Sequence, residues 1–276
     1  MRLGSSRLLV AVLACCSLLA ATSVPASAST VAPRAHASIV GGFPANPAQW
    51  PFSVAIFRKG RLHCGGSVIA PTKVLTAGHC VDGFNLANFA VIVGRPDLRN
   101  VAVGQSIPVA SGRVNPDFEQ TGLHDVAVLN LAQPANVPPV PLATPPANDA
   151  TTQPGTYLQD AGYGAVNPLG FKLSPLLKST FEIVRPPDRC LRAYTRDIFN
   201  QDSMICALGP KRKNGGKFKI HTAACSGDSG GPLVAGTPQG VVEVGTVSYG
   251  GALCGLPGAP TVYSRVSASL DFINSG

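Results

Sequence analysis

Short β-prone runs separated by turn residues restrict the fold of this 276-residue chain more than any other feature. In the first half the runs span residues 52–57, 66–69, 74–76 and 89–93. The second half repeats the pattern at residues 156–162, 180–184, 204–207, 232–234, 241–248 and 261–265. Because these runs lack the 3.6-residue period of a helix, they predict an all-β sandwich or barrel. A terminal helix is expected at residues 267–274, where Leu270 and Ile273 share a face.

A proline-rich stretch divides this β-rich sequence into two parts. Residues 133–154 contain seven prolines, a composition typical of an extended linker. We therefore expect one β domain at about residues 39–132 and a second at about residues 155–276. The content of hydrophobic residues is 45% and that of charged residues 13%, which excludes a disordered polyelectrolyte.

The N-terminus has the pattern of a secretory signal. Arg2 and Arg7 precede an apolar run over residues 8–21, and small residues at 26–28 offer a cleavage site. The run is shorter than the roughly 20 residues of a membrane span. We expect a signal peptide at 1–28, a short propeptide at 29–38 and a secreted protein that has no membrane contact once the signal is removed.

Export predicts an oxidising compartment, in which cysteines pair. Two of the eight cysteines lie inside the signal, and the other six are expected to form disulfides. The formal charge of +8 falls to about +5 once residues 1–38, with three arginines and no acid, are removed. This excess is modest, and no aromatic residues interleave the basic ones as in many nucleic-acid sites. The basic run at 211–219 is interpreted as a solvated loop rather than a site for acidic partners.

One serine lies in a glycine-rich turn with nucleophilic potential. Residues 225–232 read CSGDSGGP, and glycines around Ser229 permit a sharp turn that could aim a hydroxyl and two N–H groups at one point. A plain surface turn and the nucleophile elbow of α/β-hydrolases are alternatives. The elbow requires a histidine after the serine, but the last histidine is His221. The subtilisin-like order requires an acid before the histidine, but no acid precedes His79. The order left open is therefore His, Asp, Ser.

His79 and Asp125 are the partners available in that order. His79 lies in the stretch LTAGHC at 75–80, and Asp125 begins the apolar run DVAVLNL at 125–131. If Asp125 is buried with its strand, its carboxylate needs a partner, because an unpaired buried charge is unfavourable. The simpler interpretation is that Asp125 lies at an exposed strand end. Three other acids lie in turn-like contexts and are weaker candidates: Asp82, Asp97 and Asp117.

Six motifs in this order resemble the trypsin/chymotrypsin-like serine proteases. They are residues 39–42, 76–80, 125–131, 227–232, 248–250 and 262–263. The resemblance covers residues 39–276. It implies two six-stranded antiparallel β-barrels packed face to face, with a short C-terminal helix.

The resemblance also implies a catalytic role for each matching residue. Ser229 would attack the scissile carbonyl, His79 would transfer its proton, and Asp125 would orient the imidazole. The N–H groups of Gly227 and Ser229 would bind the oxyanion. Ser248 would support Asp125.

By the same resemblance, a specificity pocket has its base at Ala223. Ala224 and Gly250 would line it, and Thr261 would narrow it. Tyr249 and Gly250 would pair with the substrate backbone. Because the base carries no carboxylate, we expect cleavage after small or medium apolar residues (Leu, Val, Ala, Met) rather than after Arg or Lys.

Maturation and disulfides follow from the resemblance as well. The disulfides would be Cys64–Cys80, Cys190–Cys206 and Cys225–Cys254. A cut between Ser38 and Ile39 would create an ammonium that pairs with Asp228, although the family usually has Arg or Lys before this cut.

A secreted, monomeric serine endopeptidase is therefore the predicted function. We expect no metal and no other cofactor, protein or peptide substrates, protein inhibitors as further partners, and no nucleic acid. A catalytically silent relative that acts as a secreted binding protein is the alternative. An extracellular esterase is disfavoured by the chain order.

Overall fold

The computed structural model describes residues 39–145, 150–213 and 219–275. The expected signal peptide and propeptide lie outside these residues. The strands are β1 Phe43–Pro44, β2 Ser53–Arg58, β3 Arg61–Ala70, β4 Lys73–Thr76, β5 Phe89–Val93, β6 Gln105–Val114, β7 Ala127–Leu131, β8 Tyr157–Gly162, β9 Lys178–Ile183, β10 Met204–Ala207, β11 Lys211–Lys213, β12 Lys219–His221, β13 Pro232–Thr237, β14 Gly240–Tyr249 and β15 Thr261–Arg265. The α-helices are α1 Pro116–Thr121, α2 Pro187–Ala193 and α3 Leu270–Asn274. Among the described residues, no helix is long and apolar enough to cross a membrane.

The first half forms a closed antiparallel barrel in the order β2-β3-β4-β7-β6-β5. Alternate side chains of these strands point inward and fill the interior, as the period of two requires. Fully buried members of this core include Ile56, Val68, Val74, Val91, Ile107 and Leu129. Closure of the barrel removes the unpaired strand edges.

The second half forms a curved antiparallel sheet in the order β1-β9-β8-β13-β14-β15-β10. An isolated bridge between Val184 and Ala207 joins the end of β9 to β10, so the sheet nearly closes on itself. Its core contains Leu158, Leu233 and Val244. The predicted all-β class is confirmed, and β1 adds a seventh strand to this sheet because Phe43 pairs with Ser179.

Besides β1, five strands and α-helices of the described residues were not predicted from the sequence: β6, β11, β12, α1 and α2. The basic run at 211–219, interpreted as a loop, begins and ends in the paired strands β11 and β12. Strand β6 has only two buried side chains, Ile107 and Val109, so its alternation is too short to recognise. Helix α1 buries no residue and helix α2 buries only Cys190, so neither has an apolar face. The C-terminal helix is present, and Ile273 is its buried residue.

A buried carboxyl group links the two sheets. Glu243 of β14 is fully buried and accepts a hydrogen bond of 2.5 Å from the Ser67 hydroxyl of β3. Burial raises the pKa of Glu243 to about 8, against the opposing effect of this hydrogen bond. The proline-rich segment runs beside this contact, since Val140 N–H donates to Val68 and Ala143 N–H donates to the Glu243 backbone. The two sheets are therefore joined by polar contacts that hold their facing surfaces in register.

Candidate active site

His79 and Asp125 form a bonded pair at the edge of the first barrel. Asp125 Oδ2 lies 2.8 Å from His79 Nδ1, and Asp125 Oδ1 accepts the His79 backbone N–H at 2.9 Å. The Ser248 hydroxyl donates to Asp125 Oδ2 at 2.6 Å. Because a carboxylate can only accept, Nδ1 carries the proton and Nε2 is left as the basic nitrogen. A buried carboxylate that accepts three hydrogen bonds therefore orients His79.

The ionisation of Asp125 results from opposing effects. Burial favours the neutral acid, but the hydrogen bond and charge of His79, together with the Ser248 hydroxyl, lower the pKa below its usual value. Asp125 is therefore a carboxylate at neutral pH.

A glycine and a disulfide determine where His79 lies. His79 lies in a short 3-10 turn directly after β4, and Cys80 is bonded to Cys64 of β3. A Cβ on Gly78 would lie 3.1 Å from Asp125 Oδ1 and 2.8 Å from the Phe118 ring. The glycine permits the close approach of the turn to the acid.

Ser229 lies in a tight turn that the second sheet holds against the first barrel. Gly227 and Gly230 have φ values of 94° and 79°, which favour glycine. Ser229 O accepts the Gly65 N–H at 2.7 Å. A Cβ on Gly230 would lie 2.1 Å from Thr76 Oγ1, so only glycine fits there.

Ser229 and His79 meet beside one disulfide. Cys80 Sγ is 3.7 Å from Ser229 O and 3.8 Å from His79 Nε2. Within residues 39–145, 150–213 and 219–275, the Ser229 hydroxyl forms no hydrogen bond to His79. Catalytic contacts are often loose in a free enzyme and tighten when substrate binds. The sulfurs near His79 belong to the Cys64–Cys80 disulfide and provide no thiolate for a metal.

The predicted oxyanion-hole donors are unpaired. Within the described part of the chain, neither Gly227 N–H nor Ser229 N–H donates to a protein acceptor. The turn around them is closed by the Asp228 N–H to Cys225 O and the Gly231 N–H to Asp228 O hydrogen bonds. Two free donors beside a hydroxyl can stabilise a negative charge that develops at an attacked carbonyl.

Asp228 points away from Ser229 into the protein. Its carboxyl oxygens accept the Gly164 N–H at 2.8 Å and the Cys225 N–H at 3.0 Å. Burial raises its pKa to about 7 despite these two bonds. A Cβ on Gly162 or Gly164 would overlap the carboxyl group. Ile39 is fully buried, and the next residue, Val40, bridges to Ala223.

A cavity of about 180 Å³ opens beside Ser229. It is lined by Ala224, Gly250 and Thr261, which were expected there, and also by Tyr249, which was expected to pair with the substrate backbone. Ala223, the expected base, is 1% exposed and is not among the residues that line the cavity. The sequence did not single out other lining groups, which include Ser226, Val247 and the Cys225–Cys254 disulfide.

A buried polar pair in the second sheet was also missed. The Tyr263 hydroxyl donates to Asp160 Oδ2 at 2.8 Å, and both residues are almost completely buried. Burial and the nearby Asp228 charge raise the pKa of Asp160 to about 8. No local motif marks this contact, since its members are 103 residues apart.

The three predicted disulfides are confirmed. Cys64–Cys80, Cys190–Cys206 and Cys225–Cys254 account for every cysteine in the described residues. Two of the bonds flank the site, one beside His79 and one beside the cavity.

Comparison with known proteins identifies the family. The family model described as trypsin matches residues 39–273. The chain is 35% identical to a trypsin of Saccharopolyspora erythraea over 85% of this chain and 96% of the relative. It is 33% identical to glucanase inhibitor protein 2 of Phytophthora infestans, over 93% and 97%. It is 31% identical to kallikrein-2 of Homo sapiens, over 85% and 87%. The chain therefore belongs to the trypsin/chymotrypsin-like serine protease family.

Proposed function

We propose that this protein is a secreted, monomeric serine endopeptidase that works through an acyl-enzyme. The observation that carries the proposal is the buried Asp125, which holds His79 with its basic nitrogen free beside the Ser229 turn. Its substrates are proteins or peptides, and protein inhibitors that mimic a substrate would occupy the same cleft.

The reaction proceeds through two proton transfers at His79. Nε2 accepts the Ser229 proton as Oγ bonds to the scissile carbonyl carbon, and the carbonyl oxygen becomes an oxyanion held by the Gly227 and Ser229 N–H groups. The imidazolium then protonates the leaving amine, the C–N bond breaks, and an ester to Ser229 remains. Water then attacks the carbonyl of this ester and gives a proton to Nε2. The ester bond breaks, the acid product leaves, and Nε2 returns its proton to Ser229 Oγ. Asp125 stabilises the imidazolium in both halves.

A fluorophosphonate probe tests this proposal directly. The chain beginning at Ile39 is expected to become covalently labelled, because the probe reacts with a serine that has an activated hydroxyl. Labelling should disappear in Ser229→Ala, which should melt within a few degrees of wild type, and in His79→Ala, whose folded state is checked by circular dichroism. Labelling that persists in Ser229→Ala would refute the assignment of the nucleophile.

Cleavage is proposed to occur after small or medium apolar residues. Thr261 is 3% exposed and lines the cavity, so its side chain occupies space that a larger substrate residue would need. We expect Thr261→Gly to raise the ratio of kcat/KM for cleavage after Phe to that for cleavage after Leu by about tenfold or more. An effect of this size is typical when one or two methyl-sized groups change in a specificity pocket. The matched Thr261→Ser variant should change this ratio less. Wild-type cleavage chiefly after Arg in a peptide library would contradict the proposal.

Activation is proposed to require a cut between Ser38 and Ile39. The ammonium of Ile39 would then neutralise buried Asp228, whose carboxyl group accepts the N–H of Cys225 in the same turn as Gly227. We expect the cut to raise kcat by about 10²–10³-fold, the effect of one oxyanion donor. An uncut chain of equal activity would overturn this step.

The protein itself is the proposed activator, since the residue before the cut, Ser38, is small. N-terminal sequencing should find Ile39 as the first residue in wild type but not in Ser229→Ala.

A second candidate function is favoured by two of the relatives. Glucanase inhibitor proteins 2 and 3 of Phytophthora infestans are 33% and 36% identical to this chain. Their names describe inhibitors of a glucanase, so the second candidate for this chain is a protein that binds another protein and does not hydrolyse peptide bonds. Failure of the chain beginning at Ile39 to react with the probe or to cleave a peptide library would favour this alternative.

A further inference from the structure

Another cavity, of about 560 Å³, is formed by residues of the second half of the chain. Five basic side chains line it: Arg185, Arg189, Arg192, Lys211 and His221. It shares no lining residue with the cavity beside Ser229. The proposed hydrolytic reaction uses none of these five groups.

The fold brings the basic groups together from separate segments. Arg185 follows β9, Arg189 and Arg192 lie on α2, and the pairing of β11 with β12 sets Lys211 opposite His221. The segments converge because α2 is bonded through Cys190 to Cys206 of β10. The sequence separation of these groups explains why the basic run at 211–219 alone did not reveal the cluster.

Two of the basic groups are fixed in place. Arg185 Nη2 donates to the Leu208 carbonyl at 2.7 Å, and His221 Nδ1 lies 2.7 Å from the Gly209 carbonyl. Because a carbonyl only accepts, His221 Nδ1 carries the proton. Arg185 Nε is buried and has no hydrogen-bond partner among the described residues. The same is true of both carboxyl oxygens of Glu182, the acid whose charge acts most strongly on Arg185.

Charges of like sign crowd the cavity. Burial is the main cause that lowers the pKa of His221, and the charges of Arg185 and Lys211 add to it. Burial is also the main cause that lowers the pKa of Arg185; the Glu182 charge opposes this effect, and the Arg189 charge lowers the pKa further. Two carboxyl groups lie nearby: Asp188 already pairs with Arg192, and Glu182 is fully buried. In the described residues, the cluster therefore keeps more positive charge than its neighbours neutralise.

We propose that this cavity is a binding site for a tetrahedral oxyanion, a phosphate or sulfate group. Guanidinium groups match the oxygens of such anions through paired charge-assisted hydrogen bonds. Arg185 is already oriented, and exposed Arg189 and Lys211 can close on the ligand from α2 and β11. A partly enclosed cavity strengthens these charge interactions over those on an open surface.

Inorganic phosphate is the first probe, used with the full secreted protein. Titration calorimetry at constant ionic strength, with chloride as the reference anion, should detect one site on the wild type. The Arg189→Ala/Lys211→Ala variant should lose at least about tenfold in affinity, since it removes two charge-assisted contacts. The matched control is Lys59→Ala/Arg61→Ala, which removes the same charge from exposed positions on the β2–β3 turn. Phosphate should raise the melting temperature of the wild type and of the control but not of the double variant, which gives an independent readout.

A heparin oligosaccharide is the second probe and distinguishes the source of the group. Tighter binding of heparin than of phosphate, lost in the same double variant, assigns the site to polymer-borne sulfate. Phosphate binding without tighter heparin binding assigns it to free or small phosphate compounds. Equal binding by the double variant and the control, or binding of neither probe to the wild type, overturns the proposal. None of these readouts depends on catalytic activity.

Discussion

Replacing Ser229 with alanine is expected to lower kcat for peptide hydrolysis by about 10⁶-fold. The hydroxyl is the proposed nucleophile, and alanine leaves the attack on the carbonyl to water, without an acyl-enzyme. The oxyanion donors and the cleft remain, so a small rate above the uncatalysed reaction should persist. Initial rates on a peptide cleaved after Leu would measure the loss in the chain that begins at Ile39.

This loss should come from chemistry and not from folding. The Ser229 hydroxyl forms no hydrogen bond within the described residues, and its backbone contact to Gly65 does not involve the side chain. Ser229→Ala should therefore melt within a few degrees of wild type and keep its affinity for substrate. The matched control is Ser106→Ala, at an exposed position on β6 of the first barrel, which should retain full kcat. Wild-type rates in Ser229→Ala would refute the mechanism.

Replacing Asp125 with asparagine is expected to lower kcat by about 10⁴-fold near neutral pH. Asp125 accepts hydrogen bonds from the His79 backbone, the His79 ring and Ser248. Asparagine has one oxygen and one NH₂ group, so in either orientation a donor faces another donor. The ring can relieve this conflict by moving its proton to Nε2, where it can no longer accept the Ser229 proton.

Two further measurements separate this effect from a loss of charge alone. Asp82→Asn removes a carboxylate from an exposed position three residues after His79 and should leave kcat unchanged. NMR of the His79 ring should report a proton on Nδ1 in wild type and on Nε2 in Asp125→Asn. An Asp125→Asn variant with wild-type kcat would contradict the assigned role of this acid.

The buried acids of the second sheet depend on tertiary structure in a way that Asp125 does not. Asp125 leads an apolar strand, so its position in the sequence already indicates a carboxylate that needs a partner. Glu243 and Asp160 have no such signal. Glu243 meets Ser67 across 176 residues of chain, and Asp160 meets Tyr263 across 103 residues. Only the packing of the sheets decides that these groups are buried and bonded.

The sequence by itself determined the all-β class, the order of histidine, aspartate and serine, and the family to which the motifs point. It could do so because strand alternation, turn glycines and short motifs are local patterns with strong physical consequences. The tertiary structure alone decided the size of the cavity beside Ser229, the burial of Ala223, and the gathering of basic groups around Arg185. These features depend on distances between segments far apart in the chain, and such distances result from packing rather than from local preference.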